Sequence, residues 1–323
     1  MRPIPAVARY QCGVFSTFQA FNAGWSRSAL HHAVRAGVLR QPRVGAYQLA
    51  DLSLVGVSDR YEEARWLHAG AAVAAVLTTY GSAASHSTAA VLRGMPLIHL
   101  PRTPCITVLP WHTGEVPRVH LHRCTRSSTM SRVGGVNCLS AERTALDLAR
   151  EHGAAAGVVA LDYLMHQGLT SDAAVDEELA QLTRWPGVRA AREAVSLADG
   201  RSESVLETRS RLKLATSGLP RPEPQVRIGN AWGGFVARVD FYWDAFGVVG
   251  EADGAQKYDG TEPDSLLNEK KRQSLLEDLD LEVVRWGTPE LGTFSSVERR
   301  LNRAFARGTR RGADRQWTIL PPL

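Results

Sequence analysis

Residues 235–254 read FVARVDFYWDAFGVVGEADG, two runs of alternating apolar and polar side chains on either side of a loop that carries Asp244 and Gly247. Period-2 alternation around such a loop predicts a β-hairpin of FVARVDFYW and GVVGEADG. One face collects Phe235, Ala237, Val239, Phe241 and Trp243 with Val248, Gly250 and Ala252. The other collects Arg238, Asp240 and Tyr242 with Val249, Glu251 and Asp253. The apolar faces coincide when Trp243 pairs with Val248, and a slip of one residue turns the charges inward. That register sets Asp240 opposite Glu251, and Arg238 opposite Asp253 as a structural ion pair.

Two carboxylates opposed across a sheet, with Cβ atoms about 5 Å apart, repel each other. A hard cation between them reverses the sign, and Mg²⁺ or Mn²⁺ held by such oxygens activates a water and polarises a phosphodiester. Lys257, just beyond the second strand, suits the stabilisation of charge developing on phosphate. The plain alternative is a solvated sheet face of mixed charge. Around the hairpin, SESVLETRSRLKLATSG predicts a helix and LPRPEPQ a turn before it; a helix over Asp264–Leu279 and the strand LEVVRW follow.

These residues resemble the PD-(D/E)xK nuclease superfamily, in particular the branch related to very short patch repair endonucleases. The matching pattern is Val239-Asp240-Phe241, Glu251-Ala252-Asp253-Gly254, Lys257, the run EKKR at 269–272 and Val283-Val284-Arg285-Trp286. The resemblance implies a restriction-endonuclease-like αβββαβ core in which Asp240 and Glu251 are metal ligands. It also implies a further carboxylate from the preceding helix, either Glu203 or Glu207, whose i, i+4 spacing puts both on one face. Glu207, Asp240, Glu251 and Lys257 are then the catalytic set. The pattern departs from the superfamily where Asp253 stands in the usual lysine position, and Lys257 stands where the related branch often has histidine.

The other end of the chain carries a different signal. Residues 1–50 contain Arg2, Arg9, Arg27, Arg35, Arg40 and Arg43 and no carboxylate, so they hold +6 of a net +5 and the remainder holds −1. Val14–Ala23 predicts one short helix broken by Gly24, and Ser26 caps a second helix that ends at Gly37. Leu39–Val44 and Ala46–Leu49, with Gly45 between them, predict a two-stranded wing. The second helix, SRSALHHAVRA, sets Arg27, His31, His32 and Arg35 beside an apolar stripe of Leu30, Val34 and Val38. Such a helix suits a major groove, with Arg27, His31, Arg35 and Arg43 as DNA contacts. FQAFNAGWSRSALHHAVRAGVLRQPRVGAYQLA resembles the winged-helix N-terminal domain of AbiEi antitoxins of type IV toxin–antitoxin systems. The resemblance implies operator binding, often at the protein's own promoter, and a cognate toxin as partner.

At 323 residues and 44% hydrophobic, the chain has room for about two or three domains. The predicted class is α/β, as an α+β multidomain chain. Its predicted parts are a winged helix at 1–55, an AbiEi-like middle domain at 60–195 and an endonuclease-like domain at 196–323. No stretch reaches the roughly 18 apolar residues of a membrane span, and MRPIPAVARYQCG has no secretory apolar region. Cys12, Cys105, Cys124 and Cys138 form no CxxC pair, so a cytoplasmic protein with reduced thiols is expected. In the middle segment, GSAASHSTAAVLRGMPL and LSAERTALDLAREHG predict helices, the latter capped by Ser140. In VHLHRC, alternation sets His120, His122 and Cys124 on one face; with no closed ligand set in sequence, it reads as a polar edge strand without zinc. A basic run from Arg299 to Arg315 closes the chain, a polyanion surface or a solvated helix face. The leading reading is a DNA-binding protein with a metal-dependent phosphodiesterase domain; its rival is a regulator or antitoxin with an inactive nuclease fold.

Overall fold

Ser16 and Gln19 decide where the first helix begins. The Ser16 hydroxyl accepts the Gln19 N–H at 3.2 Å, and the Gln19 side chain returns to the Ser16 N–H at 2.8 Å. This reciprocal cap holds the preceding residues extended. The structure, a computed structural model, describes residues 3–51, 60–112, 114–123, 130–253, 274–309 and 315–322. In it Val14–Ser16 is a strand, β1, and helix α1 spans only Thr17–Asn22. The single helix expected over Val14–Ala23 is thereby corrected. Helix α2, Arg27–Arg35, is capped by Ser26. Strands β2, Leu39–Arg43, and β3, Ala46–Leu49, follow, and β1 adds to them as a third antiparallel strand in the order β1-β3-β2.

The chain divides into two compact units, Met1–Ala198 and Asp199–Leu323. In the first, helix α3, Arg60–Thr78, is followed by β4, Ser82–Ala84, α4, His86–Leu92, β5, Cys105–Val108, β6, His120–Arg123, β7, Met130–Val133, and β8, Val136–Leu139. Ser82–Ala84 is thus a strand, where the sequence suggested the Ser-rich start of a helix. Helices α5, Ala141–His152, α6, Ala154–His166, α7, Asp172–Gln181, and α8, Val188–Leu197, complete the unit. The mixed sheet runs β6-β5-β4-β8-β7. Val73, Ala74, Ala75 and Val76 of α3 share one core with Val14 and Ala46 of the small sheet and with Ile106, Val108 and Val136 of the large one. A second tie lies at Gly134 in the β7–β8 turn, where φ is +55° and a Cβ would stand 1.9 Å from the Tyr10 carbonyl oxygen.

The second unit runs α9, Val205–Thr216, β9, Glu223–Asn230, β10, Phe235–Trp243, β11, Val248–Ala252, β12, Glu282–Trp286, α10, Ser295–Gly308, and β13, Trp317–Leu320. Its sheet is ordered β12-β11-β10-β9-β13, antiparallel except for the parallel β11–β12 pair. Trp243 pairs with Val248 and Phe241 with Gly250, the register the alternation predicts. Phe241, Trp243, Val248 and Trp286 pack with Leu206 and Leu214 of α9 and Leu301 and Phe305 of α10. A separate core joins Tyr242 and Val249 to Val226, Ile228, Leu276 and Leu281. Most of the helix expected at Asp264–Leu279 lies outside the described residues; 274–277 are helical.

Loss of a reciprocal cap costs a helix about 1 kcal/mol. Ser16→Ala should therefore lower the stability of the first unit by about that amount in urea denaturation of the full chain, and Ser16→Thr should retain most of it.

Candidate nucleic-acid face and carboxylate cluster

Helix α2 is anchored by its inner face. Leu30 and Ala33 are buried with Phe15, Trp25 and Leu39, and the Trp25 indole N–H donates to the Pro3 carbonyl at 2.8 Å. The 3.6-residue period then turns Arg27, His31, His32 and Arg35 outward together, and all four are exposed. Gly37, with φ at +70°, ends the helix as the sequence indicates. Arg43 departs from this group. Its guanidinium donates to the Pro117 carbonyl at 2.6 Å, and burial followed by the nearby Arg118 charge lowers its pKa. Arg43 thus spends at least one donor on the middle segment.

The hairpin brings two of the expected carboxylates to neighbouring positions. One step beyond the Phe241–Gly250 pair, the next residues on the strands are Asp240 and Glu251. There the ladder changes partner: the Asp240 carboxylate accepts the Ala252 N–H at 2.8 Å. Glu251 is only 1% exposed, and Tyr242 and Val249 beside it are buried. The face is therefore interior at Glu251, Tyr242 and Val249 and opens to solvent at Arg238, which is exposed. The Arg238–Asp253 pair expected from the register is also replaced. Arg238 pairs with Glu203 at 2.5 Å, and Asp253, one residue past the end of β11, pairs with Arg285 of β12 at 3.0 Å.

Glu203 and Glu207 do not share a helix face, because α9 begins at Val205 with Ser204 as its cap and Glu203 lies before it. Glu207 is 8% exposed and closes the cap instead. Its Oε2 accepts the Glu203 N–H at 2.9 Å and the Gln225 side-chain amide at 2.8 Å. Gln225 sits at φ +57°, between the residues that pair with Val239 and Phe241. It is therefore level with Asp240. Lys257 and the run EKKR at 269–272 lie outside the described residues. Three arginines of the basic C-terminal run are engaged by the fold: Arg300 pairs with Glu290, Arg307 with Glu282 at 2.7 Å and Arg315 with Asp244 at 2.7 Å.

Reading along the sequence missed what faces His120 and His122. The pair does lie on edge strand β6, but Glu151 of α5 and Cys105 of β5 stand against the same face. Cys124, the third residue of the expected face, lies outside the described residues. The only signal in the sequence was the His-x-His spacing, since the other two residues come from distant elements.

Residues 2–50 match the family described as "Transcriptional regulator, AbiEi antitoxin". Two uncharacterized proteins of Mycobacterium tuberculosis, from strains CDC 1551 / Oshkosh and ATCC 25618 / H37Rv, are each 30% identical to this chain over 155 residues. That stretch is 48% of the chain and 56% of either relative, so the chain spans little more than half the length of the curated relatives it matches. The crystal structure of the RV2827C protein from Mycobacterium tuberculosis aligns with 61% of this chain and 78% of its own, at 19% identity and a TM-score of 0.32. Among the described residues, no helix is long and apolar enough to cross a membrane.

Hydrogen bonds to a charged acceptor are worth about 1.5–3 kcal/mol. Glu207→Ala should destabilise the second unit by an amount in that range, with Glu207→Gln milder, as read by thermal unfolding of the full chain.

Proposed function

We propose that this chain is a DNA-binding transcriptional regulator of the antitoxin type that lays α2 in a major groove. The observation that carries the reading is a coincidence of two independent features. The segment that matches the AbiEi antitoxin family, residues 2–50, is the segment in which one helix exposes Arg27, His31 and Arg35 together and in which no carboxylate opposes them. Phosphate neutralisation by arginine releases condensed counterions and needs no particular base sequence. Base readout would come from the same helix face. On this reading residues 1–55 act as a winged helix, with the β2–β3 hairpin as its wing and Arg43 bracing that wing against Pro117. Residues 60–195 offer the surface for a cognate toxin, and residues 196–323 form a third part.

A second reading is favoured by the Asp240–Glu251 juxtaposition, and it makes that third part a nuclease-like domain of restriction-endonuclease type. A buried carboxylate beside a half-buried one is an unfavourable arrangement that a divalent cation relieves. The donor chemistry suits Mg²⁺ or Mn²⁺, with Asp240 and Glu251 as the holding residues. Glu203 and Glu207 fit less well, because one is paired with Arg238 and the other caps α9. Once bound, such a cation supplies Lewis acidity toward a phosphodiester. The chain's own contribution is to hold the Asp240 carboxylate still through the Ala252 N–H and to keep Glu251 from bulk water. Lys257 is assigned to transition-state charge on the strength of its place in the sequence.

The two readings are tested separately. For the first, Arg27→Ala and Arg35→Ala should each weaken binding to operator duplex in a fluorescence anisotropy titration. Each should also reduce the magnitude of the log K against log salt slope by about one; unchanged affinity in both would remove the α2 assignment. For the second, calorimetric titration with Mn²⁺ should lose its binding isotherm in Asp240→Ala, and identical isotherms would leave the face purely structural.

A further inference from the structure

Strands β5 and β6 run parallel, with Cys105 the partner of His120 and Thr107 the partner of His122. His120 and His122, two residues apart, project from the same face of β6. Helix α5 lays Glu151 against that face. Its Oε1 is 3.1 Å from His120 Nδ1, and its Oε2 is 3.8 Å from His122 Nε2. One ligand atom from each of Cys105, His120, His122 and Glu151 lies within 4.8 Å of every other. Two of these atoms, His122 Nε2 and Glu151 Oε2, are buried and make no hydrogen bond among the described residues. Buried polar atoms left unsatisfied are unfavourable and call for a partner.

The surroundings hold the His122 imidazole in place. His86 stacks on His122 with centroids 3.6 Å apart and planes 14° from parallel. Its backbone sits at φ +49°, a left-handed conformation that is unfavourable for a non-glycine residue and persists where the surroundings impose it. Burial, reinforced by facing His86 and His120, pushes the His122 imidazole down to about 3. Burial and the Glu151 charge push the Cys105 thiol up to about 11, against the Ser87 hydrogen bond that lowers it.

We propose that Cys105, His120, His122 and Glu151 form a zinc site that ties edge strand β6 to helix α5. A thiolate, two imidazoles and a carboxylate are a borderline-soft donor set that suits Zn²⁺ and disfavours Mg²⁺. Ligand atoms of a tetrahedral zinc lie about 3.5 Å apart, so the four donors need move inward by only about 1 Å. Four protein ligands close the coordination sphere, which makes the site structural. The zinc would give the orphaned His122 nitrogen and Glu151 oxygen their partner. The proposal runs against the expectation, drawn from ligand spacing alone, that this strand carries no zinc.

The test uses the full chain without a histidine tag, stripped with chelator, dialysed with Zn²⁺ and analysed by plasma mass spectrometry. About one zinc per chain should remain, and it should raise the melting temperature. Glu151→Gln and His122→Ala should each weaken zinc binding at least about tenfold, while His166→Ala on α6 leaves it unchanged. Co²⁺ replaces zinc as a spectroscopic probe that also reads folded variants: the wild type should show a thiolate-to-cobalt charge-transfer band and Cys105→Ser should lack it. Absence of bound zinc and of that band in the folded wild type would overturn the proposal. So would zinc affinity unaffected by Glu151→Gln.

Discussion

The C-terminal sheet depends on the missing side chain at Gly250. A Cβ there would stand 2.7 Å from the Trp286 ring and 3.0 Å from the Trp243 ring, so both indoles reach the strand only because glycine occupies it. Trp286 then stacks on Phe241 with centroids 5.7 Å apart, meets Phe294 edge-on and donates its N–H to the Ser210 hydroxyl at 2.7 Å. One ring thus joins β10, β12 and α9. Because strand faces alternate, placing Gly250 on the tryptophan side sends Glu251 to the other side and lines it up with Asp240. The carboxylate neighbours are a geometric corollary of where two indoles had to fit.

A comparable constraint governs the first unit, through charge instead of volume. Asp147 is fully buried on α5 and accepts from Arg143 at 2.9 Å and from Arg150, while Arg143 also reaches Glu178 of α7 at 3.4 Å. Both guanidinium groups lie over the Trp185 ring, at 4.5 and 4.8 Å. Removing Asp147, which both arginines share, would leave Arg150 without the carboxylate it pairs with, and losing one partner of a buried pair costs more than the pair contributes. The arrangement fixes the rotation of α5 about its axis. With Asp147 turned inward, Glu151 one helical turn later points toward the β6 histidines.

How far the fold was legible in the sequence depended on whether the deciding contact was local. The Ser26 cap, the Gly37 stop, the Gly45 turn and the Trp243–Val248 register each rest on residues within one element or one hairpin, and each was readable. The strand at Val14–Ser16 was not, because its partner β3 lies some thirty residues away and the apolar spacing of Val14 and Phe15 fits a helix equally well. The burial of Tyr242 and Val249 beside Glu251 was hidden for the same reason: Leu276 and Leu281, which share their core, lie more than twenty residues further along the chain. Alternation within VHLHRC placed the two histidines on one face but said nothing of Glu151, which reaches them through the fold of α5. The arginines divided similarly, with Arg27 and Arg35 readable from helix period and Arg43 captured by a carbonyl seventy-four residues away.

The core shared by Val14, Ala46 and the middle of α3 sets the size of the piece that can be transplanted. Residues 2–50 look like a self-contained cassette by family resemblance, yet excising them would expose the part of the Val73–Val76 segment of α3 that packs with Val14 and Ala46. Exposed patches of that kind drive association instead of folding. A chimera meant to carry helix α2 and its basic face to another protein would have to include α3 through Thr78. It would also have to replace what Ile106 and Val136 cover on the far side of that helix. The natural seam for recombination therefore lies deeper in the chain than the edge of the recognisable family segment.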